Sequence, residues 1–277
     1  MQNTVYRSSL LASAALLLAV ATATPSNAQI TSGNVFKNLF YDQTSGAAPS
    51  GAPAGAFING GGTFAGAYTS GTLASPLTTD TISVAPGIFT FDGHTFATQA
   101  DMDAAYPNGT YIYTLSGSGL TDSSLTMTYT GPDPFTADIP ALTATSFAAL
   151  QSLSTDLGSL TVNFDPFTPY ATPPVTNAFT FFTIFNTSQG CGFLSPSATS
   201  CTIDPNALTP RTTYEWELDF SDRIAEGDGT LGFDVRTDGT FTTAIPEPAT
   251  WVMMLAGFAG LGLAGVRSAR KNAAAAA

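Results

Sequence analysis

Eight carboxylates fall between positions 215 and 238 and form the densest group of side chains that could do chemistry. They are Glu215, Glu217, Asp219, Asp222, Glu226, Asp228, Asp234 and Asp238. Two carboxylates at a suitable separation in a groove are enough for glycoside hydrolysis. Acidic side chains at a strand end and turn also suit Ca²⁺, which takes about six to eight oxygen ligands. The candidate calcium ligands are Asp219, Asp222, Glu226 and Asp228.

The spacing of these four acids matches no calcium loop, so a solvated acidic face is the simpler interpretation. We therefore expect no cofactor, with Ca²⁺ as the one alternative. Nucleophilic catalysis needs a base beside the nucleophile, and His94 is the only histidine in the chain. It stands in FDGHTF, which reads as a glycine-containing turn, and no Gly-x-Ser-x-Gly or His-Glu motif accompanies it. We predict no catalytic residue and no enzymatic activity.

Cys191 and Cys201 are the only cysteines. An oxidising compartment favours a disulfide between them, closing a loop of about ten residues and contributing roughly 2 to 3 kcal/mol in the chain-entropy model. A metal site is the weaker interpretation, because the chain has no third thiol and its histidine is distant in sequence.

The start of the chain has the pattern of a signal peptide over residues 1–28. A single cation, Arg7, precedes an apolar run at 10–20 that is too short to span a membrane. Small residues at Ser26 and Ala28 then place the predicted cut between Ala28 and Gln29. Because Arg7 is not part of a twin-arginine pair, we expect export by the general secretory route.

The remaining body is strongly acidic. Residues 29–245 hold 19 acidic and four basic residues, a formal charge of −15, against −12 for the whole chain. Such a charge repels phosphate backbones, and no basic stripe overcomes it, so we expect no nucleic-acid partner.

The body reads as all-β and is predicted to contain two β modules, at 29–137 and 138–243. In the first module, residues 45–71 are dominated by Gly, Ala, Ser and Pro and predict a long irregular loop. Short segments rich in Thr, Tyr, Phe, Val and Ile follow, separated by turn signals. They predict strands at 81–84, 88–91, 110–115 and 125–130, and a helical turn at 98–105.

The second module shows stronger strand patterns. LGSLTVNFDPF and AFTFFTIFN each predict a strand, and TTYEWELDF alternates most cleanly. In the last segment, Trp216 and its apolar neighbours are predicted to face a core, whereas Glu215, Glu217 and Asp219 form an outer acidic face.

LTPRTTY, just before this strand, places Leu208, Pro210, Thr212 and Tyr214 at a spacing of two. This resembles the tyrosine corner of fibronectin type III domains, in which a tyrosine hydroxyl bonds back to upstream backbone. The resemblance covers about 139–243 and implies a fibronectin-like β-sandwich. Phe164 occupies the place where that family carries a core tryptophan.

The tail over 244–277 combines three features in order. Pro246, Glu247 and Pro248 form an extended tripeptide, because two prolines bar a helix there. The apolar run 251–266, led by Trp251, would be about 24 Å long as a helix where the hydrocarbon core is about 30 Å, and a transmembrane helix is predicted at 250–266. The basic residues Arg267, Arg270 and Lys271 follow, as expected for a cytoplasmic end.

These three parts resemble the PEP-CTERM sorting signal of Gram-negative bacteria. The resemblance implies export, a transient anchor in the inner membrane, and recognition at Pro-Glu-Pro by an exosortase that releases or transfers the body to the surface. The stub NAAAAA has no role that we can assign.

Three hypotheses for the function remain open. The first is a non-enzymatic protein of the cell surface or extracellular matrix, sorted by an exosortase. The second is a carbohydrate-binding module or glycosidase associated with exopolysaccharide, using the acidic group or aromatic residues such as Trp216 and Tyr111. The third is an adhesin that keeps its membrane anchor permanently.

Overall fold

The computed structural model of the chain describes residues 28–156, 158–171 and 175–244. The signal-peptide prediction, apart from Ala28, and the predicted transmembrane helix at 250–266 lie outside these ranges. Within them, no helix has the length and hydropathy needed to cross a membrane.

Strands dominate the described residues, and the predicted all-β class is confirmed. The first seven strands are β1 (Gln29–Asp42), β2 (Gly55–Ala65), β3 (Ser70–Ala74), β4 (Thr79–Ala85), β5 (Ile88–Phe96), β6 (Gly109–Ser116) and β7 (Ser123–Tyr129). The others are β8 (Leu160–Asn163), β9 (Asn177–Ile184), β10 (Gly190–Leu194), β11 (Ser200–Ile203), β12 (Thr213–Glu226) and β13 (Gly229–Thr242). The helices are α1 (Gln99–Ala105), α2 (Ala144–Gln151) and a 3₁₀ turn, Pro205–Ala207.

Eleven strands form one hydrogen-bonded sheet in the order β10, β9, β12, β13, β1, β2, β5, β4, β3, β6, β7. The pair β8 and β11 forms a separate two-stranded sheet. Neighbours in the large sheet are antiparallel except β1 and β13, which pair in parallel from Gly33 opposite Gly229 to Asp42 opposite Asp238. The sheet is therefore continuous between strands of the two predicted modules.

The first hydrophobic core lies where the large sheet rolls back on itself. Strand β7 packs against β1 and β13, and the backbone N–H of Ile30 donates to the hydroxyl of Ser123 at 2.9 Å. Tyr113 and Met127 are fully buried in this core. Leu231, Phe233 and Val235 of β13 contribute to it as well, so the last strand helps to build the first core.

The glycine-rich segment at 45–71 is not one long irregular loop, and this prediction was wrong. It is irregular up to Ala54, but it then contains β2, which is a central strand, and the start of β3. A side chain at Gly60 would collide with the backbone oxygen of Asn34 and the hydroxyl of Tyr113. Glycine is needed here because an aromatic side chain packs directly on the strand backbone.

The second core lies between the large sheet and the small one. Strands β8 and β11, together with α2, cover the faces of β9 and β12 that carry Phe182, Trp216 and Leu218. Trp216 is fully buried, and Phe164 is buried in the same core in the place of the expected tryptophan. Two sheets packed face to face over this core make a sandwich.

A disulfide joins the two sheets of this sandwich. Cys191 lies on β10 at the edge of the large sheet, and Cys201 lies on β11 of the small sheet. The predicted pairing of these cysteines is confirmed.

The corner before β12 has the hydrogen bond that its sequence predicts. The hydroxyl of Tyr214 accepts from the backbone N–H of Thr209 at 2.8 Å. Leu208 is buried in the second core and Pro210 is exposed. The tyrosine therefore pins the loop that leads into the longest hairpin of the sheet, formed by β12 and β13.

Of the three acidic residues predicted to form a solvated face on β12, only Glu215 is exposed, whereas Glu217 is buried and Asp219 is half-buried. Glu217 is only 8 % exposed and its Oε2 atom lies 2.8 Å from Nη1 of Arg236. Arg236 also donates from Nη2 to Oδ2 of Asp238 at 2.9 Å. A second pair, Arg223 with Asp234, continues the row along the same face. We call these residues the ion-pair row: Glu217, Arg223, Asp234, Arg236 and Asp238.

Aromatic rings pack on both cations of the ion-pair row. The guanidinium of Arg236 lies 4.9 Å from the ring centre of Phe57. That of Arg223 lies 4.3 Å from Phe36 and 5.1 Å from Phe179. Strand alternation predicts which face a side chain takes, but not that long side chains from neighbouring strands will cover it.

We predict that replacing both Cys191 and Cys201 with alanine lowers the free energy of unfolding by about 2 to 3 kcal/mol, because the cross-link restricts the unfolded chain. Chemical denaturation of the oxidised protein and the double variant measures the difference. The reduced wild-type protein is the matched control and should behave like the variant. Equal stability of all three would contradict the prediction.

We also predict that the protein is more stable at pH 5 than at pH 8. Burial, only partly offset by Arg236, raises the pKa of Glu217 to about 7 from its ordinary 4.5. At pH values between the unfolded and folded pKa values of Glu217, the folded state holds more protons than the unfolded state. The free energy of unfolding therefore falls as pH rises, by roughly 3 kcal/mol at most. Burial raises the pKa of Asp222 to about 6, which acts in the same direction.

Thermal melts across this pH range test the prediction, with an expected Tm about 5 °C or more higher at pH 5 than at pH 8. Glu217→Gln should flatten the profile, whereas Glu215→Gln, at an exposed site on the same strand, should leave it unchanged. A Tm that is constant or rises towards pH 8 would show that the buried carboxyls are not protonated in this range.

Candidate functional site

The structure does not bring the four candidate calcium ligands together. Asp219 and Asp222 lie on opposite faces of β12, because their positions differ by an odd number. Glu226 is the last residue of β12, about 23 Å along the strand from Asp219, and Asp228 lies in the turn that follows. In the described ranges, no three His, Cys, Asp or Glu side chains are placed to hold a metal ion.

The two strand carboxyls of this set are packed in the interior of the sheet. Asp222 accepts from the backbone N–H of Tyr170 at 3.1 Å through Oδ2, and burial raises its pKa. Burial also raises the pKa of Asp219 well above its ordinary value, with the nearby carboxylates of Asp234 and Glu217 adding to the effect.

A surface cavity of about 180 Å³ surrounds His94. The histidine lies on β5 at a bulge beside Gly93, whose φ is 73°, and not in a turn. Its Nε2 atom lies 3.1 Å from Oδ1 of Asp80, and the hydroxyl of Tyr106 donates to Oδ2 of Asp80 at 2.9 Å. The imidazole stacks on Tyr106 with ring centres 5.6 Å apart. Asp80 therefore orients both rings.

This trio was not identified from the sequence, although its signal was present. The predicted strands at 81–84 and 88–91 form a hairpin in which Ser83 pairs with Thr90. Extending that register places Asp80 near His94. Ser83 and Thr90 line the cavity, but no hydrogen bond joins either hydroxyl to the imidazole among the described residues. Asp80 and Tyr106 hold the His94 ring in place, but the ring makes no contact with a nucleophilic hydroxyl of the kind that covalent catalysis uses.

A buried cation forms a second polar cluster in the first core. Lys37, on the core face of β1, is 4 % exposed and donates to Oδ1 of Asp103 at 2.8 Å and of Asp133 at 3.1 Å. Burial raises the pKa of Asp133, and the Lys37 ammonium opposes that rise. Since a buried charge is costly unless it is paired, this cluster is explained by folding alone.

The predicted sorting tripeptide and basic cluster lie outside the described residues, but their point of attachment is defined. Thr243 is 2 % exposed; its hydroxyl donates to the backbone oxygen of Thr209 at 2.7 Å and accepts from the N–H of Thr212 at 3.0 Å. The N–H of Ala244 donates to the oxygen of Leu153 at 2.7 Å. The chain is therefore held by the fold up to Ala244.

Arg211 lies beside this attachment point. Its backbone N–H donates to the oxygen of Thr243 at 3.1 Å, and its side chain is exposed. Its φ of 58° lies in the left-handed region, which is uncommon for a residue other than glycine or asparagine. Nothing in the sequence alone indicates this conformation, apart from the turn that Pro210 favours.

Comparisons with solved structures return β proteins of low overall similarity. Murine CEACAM1b is 10 % identical over 77 % of this chain and 100 % of its own, with a TM-score of 0.22. A structure from a 1.5-MDa bacterial ice-binding adhesin is 13 % identical over 77 % and 65 %, with a TM-score of 0.26. The FN1–FN3 domains of chicken CNTN1 are 8 % identical over 79 % and 66 %, with a TM-score of 0.22. TM-scores this low support no argument about function.

A comparison with curated proteins found no match. The comparison with family models matched residues 244–271, and the matching model is described as the PEP-CTERM protein-sorting motif. It starts at Ala244, which is hydrogen-bonded to the body, ends at Lys271, and implies recognition by an exosortase. The chain thus carries a PEP-CTERM sorting motif, which indicates an exported protein that reaches the cell surface.

Proposed function

We propose that this chain is a non-enzymatic protein of the cell surface or extracellular matrix. Its tail anchors it transiently in the inner membrane, and an exosortase cuts at Pro246-Glu247-Pro248 and releases or transfers the body. The observation that carries the proposal is the sorting-motif match at 244–271, which begins at Ala244, a residue hydrogen-bonded to the folded body.

The architecture of the body supports removal of the tail. The two hydrophobic cores are built from described residues between Ala28 and Phe241. Cleavage beyond Ala244 removes no residue of these cores, so the released body keeps its packing. The disulfide between Cys191 and Cys201 suits an oxidising compartment outside the cytoplasm.

We predict that the mature protein from native cells lacks the segment from Trp251 to Lys271. Mass spectrometry of its C-terminal peptide gives the site of cleavage directly. Glu247→Gln removes the isolated charge of the tripeptide and should cause the uncut form to accumulate in the membrane fraction. Asp228→Asn, an equivalent change at an exposed turn, is the matched control. An intact Lys271 in the mature pool would instead support the permanently anchored adhesin.

A second candidate function, binding to exopolysaccharide, is favoured by one observation. Phe193 is 66 % exposed at the edge strand β10 and its ring centre lies 4.9 Å from that of Phe179. Phe179 lies near Arg223, which also stacks on Phe36. We call Phe36, Phe179 and Phe193 the aromatic patch. An exposed aromatic surface beside polar groups suits a ligand with apolar faces and hydroxyl edges, such as a sugar chain.

The aromatic residues that the sequence suggested for sugar binding are not accessible to a ligand. Trp216 is fully buried in the second core, and Tyr111 is 3 % exposed in the first. Each lies on the core face of its strand, where alternation places it. Neither can stack on a sugar at the surface.

Retention in affinity electrophoresis through gels that contain extracellular polysaccharides tests the second candidate. If the aromatic patch binds, we expect Phe193→Ala to reduce retention several-fold, because it removes the most exposed ring. Leu77→Ala, which truncates an apolar side chain of similar exposure, should have no effect. If none of the polysaccharides retains or is hydrolysed by the protein, this second candidate function is wrong.

A further inference from the structure

The sorting motif starts so close to the folded body that an enzyme bound to it must also approach the body. Ala244 is hydrogen-bonded to Leu153, and Pro246 is only two residues further along. Two residues of fully extended chain span about 7 Å. Trp251 is seven residues beyond Ala244, at most about 25 Å away. An enzyme that binds Pro246-Glu247-Pro248 in a cleft must therefore contact the surface of the body around Ala244.

The surface at this point is formed by the turn before β12. Thr209 and Thr212 both bond to Thr243, and Arg211 donates its backbone N–H to the Thr243 oxygen. Tyr214 fixes the same turn through Thr209. The exposed side chains of this turn are consequently held in a constant position relative to the exit of the tail.

Arg211 differs from the other cations in the described ranges. Lys37, Arg223 and Arg236 are all buried or half-buried in ion pairs with carboxylates. Arg211 is exposed, and no ion pair joins it to another described residue. On a body with a formal charge of −15, the one described cation that is available to a partner thus lies next to the tail.

The backbone of Arg211 gives a second reason to assign it a role. The residue follows Pro210 in a turn and has a φ of 58°, a position at which glycine or asparagine is usual. An arginine there is strained, and strain that is kept at an exposed site points to a function of the side chain. Its side chain makes no hydrogen bond within the described part of the body, so the fold does not explain its presence.

We propose that the Pro210–Arg211 turn is a docking surface for the sorting enzyme and that the Arg211 guanidinium pairs with an acidic group on that enzyme. The short distance between Ala244 and the motif brings the two proteins into contact. The charge of Arg211 selects an acidic partner and suits a bidentate contact with a carboxylate. This inference rests on the proposed processing of the tail by an exosortase.

The test measures the rate of tail removal from the full-length chain by pulse-chase in cells that contain the enzyme. Arg211→Gly relieves the backbone strain and deletes the cation. We expect tail removal to slow at least threefold while the Tm of the variant is equal to or above that of the wild type. A purely structural role of Arg211 would not separate the two readouts in this way.

Asn186→Gly is the matched control, because it changes another residue with a similar positive φ, 61°, in a turn outside the proposed docking surface. It should leave the rate unchanged. Arg211→Asn, which tolerates the left-handed conformation, is the second variant if Arg211→Gly is unstable, and it should slow tail removal to a similar degree.

An insertion of eight Gly and Ser residues between Ala244 and Ile245 provides an independent arm. A flexible insert of this length adds about 16 Å of reach, so the enzyme can hold the motif without touching the turn. We expect Arg211→Gly to leave the rate unchanged in this background. Equal rates for Arg211→Gly and wild type at the native length would overturn the docking surface alone. No tail removal from the wild-type chain would overturn the processing itself and the docking with it.

Discussion

The parallel pairing of β1 with β13 is the interaction on which the rest of the structure depends. It joins the first strand of the body to the last across ten residue pairs and makes one sheet from strands that are about 200 positions apart. Strand β13 contributes Phe233 and Val235 to the first core and Phe241 to the second. Both cores therefore share one strand, and neither is closed until the C-terminal part of the body has paired.

Local patterns predicted several of the strands. Strand β12 was found because apolar and polar residues alternate along it, and β9 because a short, mostly apolar run is typical of a buried strand. Strand β2 was missed because its glycines carry no pattern, although Gly60 is required by the ring of Tyr113. Strand β1 was missed because Lys37 lies on its core face, where only the distant Asp103 and Asp133 make a cation acceptable. Such partners cannot be read from a window of neighbouring residues.

The functional features divide in the same way. The sorting motif is linear, so its tripeptide, apolar run and basic cluster were recognisable in order, and the family match covers the same residues. The ion-pair row, the Asp80–His94–Tyr106 trio and the strain at Arg211 depend on tertiary contacts. The sequence indicated that Glu217 leaves the core face of its strand, but not that Arg236 and Phe57 cover it there.

The position in the sheet of β13, the strand that leads into the tail, affects whether the body stays folded when the tail is removed. The tail leaves from β13, which is flanked by β12 on one side and β1 on the other. A strand paired on both sides loses backbone hydrogen bonds to two neighbours if it is pulled out, whereas an edge strand loses them to one. Thr243 adds side-chain bonds at the point where force would first act. Under the proposed processing, anchoring and cleavage of the tail would act on a strand that is paired on both sides, so the folded state can persist while the tail is removed.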